Sequence, residues 1–131
     1  MESAVINSII NTLIETVNIG DVVHNVHFGH ISDAPQPSYP TITIERFGLG
    51  FEDKGLPYQD FDLKISVFSD VSHDECFTIH QAIKGVLHQQ RWTTGNTYWL
   101  SYRMSAPVDD SERVERTIYF QHAVYTISLL G

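Results

Sequence analysis

The chain has 131 residues, of which 42% are hydrophobic and 11% aromatic, a composition typical of one folded domain spanning 1–131 and not of a disordered segment. Its 16 acidic and 8 basic side chains give a formal charge of −8, and lysine and arginine gather in no patch. Binding to nucleic acid or to an anionic membrane relies on such patches, so neither is expected.

The amino-terminal segment predicts a helix. Residues 2–17 place hydrophobic side chains at the i, i+3, i+4, i+7 spacing of an amphipathic helix, which should end near Asn18 and Gly20. No basic stretch precedes an apolar run there, and no stretch approaches about 18 apolar residues, which argues against a signal peptide and a membrane span. The single cysteine permits no internal disulfide. We therefore expect a protein that is made and kept in a cytoplasm.

Period-two alternation of hydrophobic and polar side chains predicts the strands. In chain order these are a short strand around Val26 and Phe28, then 41–47, 60–70, about 97–105 and about 112–130. A proline-rich loop, 29–40, leads into the second strand, and a glycine-rich connection, 48–59, forms the tip of a long hairpin. An acidic turn, 107–112, separates the last two strands. The last strand is apolar on both faces, so we expect cover on each side.

A second helix is predicted to begin at a capping box, in which the Ser72 hydroxyl accepts from the third backbone N–H and Glu75 reaches back. It runs to about Gln90, and its apolar arc consists of Cys76, Ile79, Ile83, Val86 and Leu87. The element order predicts an α+β fold with a four-stranded, mainly antiparallel sheet. The N-terminal helix and the second helix should pack on one face of that sheet, with long hairpin loops.

Three histidines at three-residue spacing are the candidates for a metal site. Side chains alternate along a strand, so His27 should face away from His24 and His30. Those two lie roughly 20 Å apart along an extended chain, whereas a zinc ion holds its ligands at about 2.1 Å. We therefore expect neither a metal site nor a cofactor.

Candidates for catalysis are weak. Cys76 has His73 and His80 at i−3 and i+4, the placement that a thiolate–imidazole pair needs. The same arc of the helix is apolar, so Cys76 is expected to pack as a small buried hydrophobe. The glycines of the hairpin connection open no helix and precede no Lys-Ser/Thr pair, so they form no phosphate loop. We predict that the protein is not an enzyme and has no catalytic residues.

The remaining candidates are contact residues in the hairpin connection and the acidic turn. Hydrophobic loop residues are costly to expose in a monomer and suggest contact with another chain; the alternative is that they fold back on their own domain. The acidic pairs at the two loop tips are expected to be solvated. The predicted contact residues are Leu49, Phe51, Glu52, Asp53, Leu56, Tyr58, Asp109 and Asp110.

Taken in order, these elements resemble the tail terminator, or tail completion, proteins of long-tailed bacteriophages. After the amphipathic helix and short strand, the likeness runs through APQPSYPTITIER, FDLKISVFSDVSHDE and CFTIHQAIKGVL to the closing strands YWLSYRMS and TIYFQHAVYTISLL. It covers nearly the whole chain, and it rests on the pattern and order of the elements.

The resemblance implies a non-enzymatic virion protein of the tail or neck, assembled in the host cytoplasm. Such a protein forms a homo-oligomeric ring, typically a hexamer, on the last ring of tail tube protein. The ring stops tube polymerisation and joins the tail to a head–tail connector or stopper protein, and DNA passes through it without specific binding. A head-closure stopper and a connector adaptor are alternatives in the same setting. A small ligand- or metal-binding α+β domain is the alternative of another class.

Overall fold

The computed structural model describes residues 2–23, 25–29, 39–51, 58–94, 97–103, 107–113 and 117–130. The helices in this part are α1 (Glu2–Glu15), α2 (Val17–Gly20) and α3 (His73–Leu87). The strands are β1 (Asn25–Phe28), β2 (Thr41–Phe51), β3 (Tyr58–Ser69), β4 (Gln90–Thr94), β5 (Thr97–Arg103), β6 (Val108–Arg113) and β7 (Thr117–Leu130). None of the helices in these ranges combines the length and hydropathy needed to cross a membrane.

The strands form one sheet in the order β1-β2-β3-β7-β5-β4, which curves as a half-barrel. β1 runs parallel to β2, and the other paired strands are antiparallel. One side of β7 pairs with β3. Its other side pairs with β5 along residues 125–130 and with β6 along residues 117–122. The edge strands of the path are therefore β1 and β4.

This sheet corrects the four-stranded, mainly antiparallel sheet predicted from the sequence: six strands follow one path, β6 pairs beside it, and the β1–β2 pair makes it mixed. The sequence does not predict β4 because the helix pattern extends to about Gln90, whereas α3 ends at Leu87. His88 is extended and Gln89 has a positive φ of 54°, so the chain leaves the helix before β4. The sequence does not predict β6 because VDDSER is acidic and lacks the alternation of hydrophobic and polar residues. Its strand conformation follows from pairing with β7 and not from local propensity.

The core lies on the helix-bearing face of the sheet. Leu63 pairs with Tyr125 and Ile65 with Ala123, so the odd-numbered residues of β3 and β7 share this face, and all four are fully buried. The helices add further buried side chains to the same cluster, among them Val5, Ile9, Leu13, Ile79 and Ile83. Burying each large aliphatic side chain contributes about 1.5–3 kcal/mol, so this face holds most of the hydrophobic stabilisation.

The start of α3 confirms half of the predicted capping box. The Ser72 hydroxyl accepts from the Glu75 backbone N–H at 3.2 Å. The Glu75 carboxylate instead accepts from the Ser69 hydroxyl at 2.8 Å, and that hydroxyl oxygen accepts from the Ser72 N–H at 3.3 Å. The expected direct bond between Glu75 and the Ser72 N–H is thus replaced by two bonds through the Ser69 hydroxyl. These bonds join the end of β3 to the start of α3.

The predicted amino-terminal helix is confirmed, but it ends earlier than the pattern indicates. α1 stops at Glu15, and the single turn of α2 follows, in which the Gly20 N–H donates to the Thr16 carbonyl at 2.7 Å. A Cβ atom on Gly20 would overlap the carbonyl oxygen of Ile14. Glycine therefore permits the close approach of α2 to the end of α1.

Candidate assembly surfaces

The predicted contact residues divide into two groups that the fold does not bring together. Leu49 and Phe51 belong to β2, and Tyr58 begins β3, so both strands reach further into the hairpin than predicted. Asp109 and Asp110 lie in β6, which corrects the predicted acidic turn. Glu52, Asp53 and Leu56 lie outside the described residues.

The register of β7 shows how far apart the two groups are. Tyr58 pairs with Leu130 at one end of β7, whereas Asp110 pairs with Phe120. Ten residues of extended strand separate these two positions, which corresponds to about 33 Å. The hairpin residues and the β6 residues therefore lie towards opposite ends of the sheet, and they cannot form a single contact site.

The histidine triplet is described in part. His27 lies in β1, paired with Thr43 of β2, and its Nε2 atom is buried without a hydrogen-bond partner in the described part of the chain. His24 and His30 fall outside the described residues, so the predicted separation of the three side chains is not tested. Among the residues that are described, no three histidine, cysteine, aspartate or glutamate side chains are grouped to hold a metal ion.

Cys76 packs as the sequence predicts. Its side chain is fully buried between α3 and the sheet, and its single S–H can donate to the carbonyl oxygen of Val67 at 3.4 Å or of Tyr119 at 3.5 Å. A buried thiol held against two strand carbonyls behaves as a small hydrophobe with a weak donor. It fills the contact between α3 and the sheet.

His80 is a buried polar residue that the sequence pattern does not reveal. Its Nε2 atom lies 2.8 Å from the carbonyl oxygen of Gln121, which can only accept, so Nε2 carries the proton and Nδ1 is left as an acceptor. Burial lowers the pKa of His80 to about 4 despite the Gln121 carbonyl, and the charges of Arg103 and His122 lower it further. His80 is therefore neutral near neutral pH.

Tyr125 and Arg103 pair across β7 and β5 next to His80. Burial raises the pKa of Tyr125 to about 12, and the nearby Arg103 guanidinium opposes that rise. The Arg103 guanidinium lies near the Tyr125 hydroxyl but makes no hydrogen bond with it. Three buried atoms, Arg103 Nη1, the Tyr125 hydroxyl oxygen and His80 Nδ1, have no hydrogen-bond partner among the described residues. With Tyr125 protonated and His80 neutral, this cluster presents no activated nucleophile. Its position indicates a role in seating α3 on the sheet.

One open surface lies at the β4 edge. The β4-edge surface is a hollow of about 600 Å³ lined by Arg91, Trp92, Thr93, Tyr98, Trp99 and Leu100. Trp92 and Trp99 stack with ring centroids 4.8 Å apart and planes 8° apart, and the Trp92 indole N–H donates to the Ser101 hydroxyl at 2.8 Å. Trp99 is only 1% exposed, so the stacked pair ties β4 to the core. Tyr98 follows the opposite parity along β5 and is 60% exposed, so it is the open aromatic side chain of this surface. The alternation of Tyr98, Leu100 and Tyr102 is the sequence signal for this surface.

A second open surface lies at the β1 edge. Ile14, Val22 and Phe28 are 53%, 43% and 47% exposed, high fractions for large apolar side chains. Phe28 lies in β1, Val22 lies three residues before β1, and Ile14 lies near the end of α1. Ile14 also lines a hollow of about 260 Å³ together with Val26. We define the β1-edge surface as these four residues. Nothing in the local sequence marks them, because their grouping depends on the packing of α1 and α2 beside β1.

Comparison with known proteins gives a match at the level of fold. No protein-family model matches the chain, and no curated protein matches its sequence. A chain in a solved structure described as the virion of a native gene transfer agent (GTA) particle superposes with a TM-score of 0.66. The match covers 94% of this chain and 92% of that chain, at 14% sequence identity. The two chains therefore share a fold over nearly their whole lengths.

Proposed function

We propose that this protein is a structural component of a phage-like virion, and specifically a tail terminator that forms a ring between tail and head. The observation that carries the proposal is the fold shared over 94% of the chain with a chain of a gene transfer agent virion. The order of elements along the sequence, which resembles the tail terminator family, supports the finer proposal of a tail terminator. The ring, typically of six subunits, caps the tail tube, stops its polymerisation and receives the connector or stopper protein.

The placement of the contact residues supports a joining role. A protein between two partners needs one surface for each, and the two predicted contact groups lie about 33 Å apart along β7. The hairpin group around Phe51 and Tyr58 meets one partner, and the β6 group around Asp109 and Asp110 meets the other. The two open sheet edges are left for contacts between subunits of the ring.

The charge and chemistry of the chain agree with a passive ring. A formal charge of −8 disfavours gripping the phosphate backbone of DNA that passes through a channel. The buried cluster of His80, Arg103 and Tyr125 offers no activated nucleophile, and Cys76 is used in packing. We propose a role in assembly and not in catalysis.

The test is assembly with the tail tube protein encoded in the same genome. Tube protein alone should form long tubes of variable length, and addition of this protein should shorten them and leave a ring at one end, as seen by electron microscopy. Light scattering of the protein alone should report a ring. A ring that binds the connector but leaves tube length unchanged would contradict the terminator role in favour of a stopper or adaptor. A monomer that binds stoichiometric zinc would contradict both.

A further inference from the structure

Charge is divided unevenly along the chain. Residues 1–45 contain Glu2, Glu15, Asp21, Asp33 and Glu45 and neither lysine nor arginine. Residues 76–108 contain Lys84, Arg91 and Arg103 and neither aspartate nor glutamate. This segment is therefore positively charged although the whole chain has a net charge of −8. The two segments have opposite charge.

The fold carries these two segments to the two edges of the sheet. The acidic segment supplies α1, α2 and the edge strand β1, and the basic segment supplies α3 after its acidic first turn, β5 and the edge strand β4. Glu15 and Asp21 are exposed and directly follow and precede Ile14 and Val22 of the β1-edge surface. Arg91 is exposed and lines the β4-edge surface. One edge is therefore apolar and acidic, and the other is apolar and basic.

Both surfaces also present apolar side chains. The β1-edge surface presents partly exposed side chains, of which Phe28 is the largest, and the β4-edge surface presents an aromatic hollow of about 600 Å³. Exposed apolar and aromatic side chains with charges at the rim have the arrangement of a protein–protein contact. Four of the large hydrophobic side chains exposed in the described part of the chain, Ile14, Val22, Phe28 and Tyr98, lie on these two surfaces.

We propose that the β1-edge surface of one copy of this chain docks into the β4-edge surface of a second copy, so that the subunits join head to tail. The proposal rests on the proposed ring function and names the surfaces that build it. A two-fold symmetric contact would put acid against acid or base against base, which costs free energy. A head-to-tail contact pairs Glu15 and Asp21 of one copy with Arg91 of the next. Every copy has both of its surfaces covered only when the ring closes. It also covers the outer sides of β1 and β4, which pair with no further strand in the described part of the chain.

The experiment uses two variants, each with one blocked surface. Phe28→Asp with Val22→Asp blocks the β1-edge surface, and Tyr98→Asp with Arg91→Glu blocks the β4-edge surface. Each variant alone should run as a monomer in light scattering, with a circular dichroism spectrum like that of the wild type. Mixed in equal amounts, they should form a dimer and nothing larger, because each retains one intact surface and the free ends of the dimer are blocked.

Matched controls use exposed apolar residues away from both edges. Val71 and Phe77 are 66% and 47% exposed, and Val71→Asp and Phe77→Asp should leave the ring intact. If either blocked variant still forms rings, the proposed interface is wrong while the ring function stands. If the wild-type chain is monomeric at every concentration and leaves tube length unchanged, the proposed function fails with it.

Charge reversal tests the polar part of the contact. Arg91→Glu should weaken subunit association at least about tenfold, because the new carboxylate would face Glu15 and Asp21 of the neighbouring copy and repel them. Asp21→Arg with Glu15→Arg, introduced into the same chain, should recover most of that loss. If the reversed chain associates no better than Arg91→Glu alone, these charges do not meet and the head-to-tail pairing is overturned.

Discussion

At the scale of single residues, the least expected feature is a polar group in the centre of the core. His80 is fully buried on α3, and a single bond of 2.8 Å to the Gln121 carbonyl holds it in one tautomer. A buried imidazole is tolerated because it stays neutral, so it adds a hydrogen bond between helix and sheet without a buried charge. Folding therefore depends on the protonation state of this side chain.

We predict that acid destabilises the protein through His80. Its folded pKa of about 4 lies below the unfolded value of 6.5, so between these values the unfolded chain binds more protons than the folded chain. Stability present above the unfolded pKa is then lost as the pH falls towards the folded pKa, by about 2 kcal/mol between roughly pH 7 and pH 5. Urea denaturation at the two pH values measures this loss.

The control for this prediction is His80→Gln, whose amide N–H can still donate to the Gln121 carbonyl but does not titrate. Its free energy of unfolding should fall less than that of the wild type over the same pH interval. Equal pH dependence in the two proteins would show that other groups cause the acid destabilisation.

At the scale of elements, two short connections decide how α1 and α3 sit on the sheet. Ser69, at the end of β3, accepts from the Ser72 N–H and donates to Glu75 in the first turn of α3. Gly20 lets α2 turn tightly against the Ile14 carbonyl, which directs the chain from α1 to the edge strand β1. The β1-edge surface exists because of this second turn.

We predict opposite effects for two glycine substitutions. Gly20→Ala should destabilise the fold by about 1–3 kcal/mol, because the added methyl group meets backbone atoms that cannot move independently. Gly85→Ala is the matched control, since a Cβ there contacts nothing within 4 Å and the site is an exposed position in α3. It should stabilise the protein by about 0.5–1 kcal/mol. Urea midpoints of the two variants against wild type give both values, and stabilisation by Gly20→Ala would contradict the packing at α2.

At the scale of the whole molecule, the half-barrel sheet separates three kinds of surface. Its two edges, β1 and β4, carry the apolar surfaces with opposite charge, and the two ends of β7 lie near the two predicted contact groups. Subunits that join through edges leave the β6 end of the sheet free, and Tyr98, which pairs with Leu130 as Tyr58 does, brings the β4 edge close to the hairpin end. This division suits a ring that binds one partner above and another below.

We predict that the hairpin between β2 and β3 contacts another chain. Phe51→Asp with Leu56→Asp should abolish assembly while the monomer stays folded, because charges at these positions oppose burial in a contact. Assembly on tail tubes is followed by electron microscopy, and folding by circular dichroism. Val71→Asp, at an exposed position outside the hairpin, is the control. Survival of assembly in the hairpin variant would show that these residues are not a contact.

Much of the local structure was predictable from the sequence. The i, i+3, i+4 spacing predicts α1, the Ser72 cap predicts the start of α3, and alternation predicts β1, β2, β3, β5 and β7 with Cys76 buried under the helix. These features follow from short-range physics, because periodicity and capping depend on residues a few positions apart. The contact prediction for the hairpin tip, at Glu52, Asp53 and Leu56, stays a prediction.

The sheet itself required the tertiary structure. β4 and β6 have no pattern of their own and become strands because β5 and β7 offer them backbone partners. β1 joins β2 in parallel across a proline-rich connection, a pairing that local sequence does not specify. The hollow shared by Ile14 and Val26, and the pairing of Arg103 with Tyr125 beside His80, likewise join residues that are distant in the chain. A single sequence carries local preferences directly, whereas strand order, edges and buried polar clusters depend on long-range contacts that form only in the folded chain.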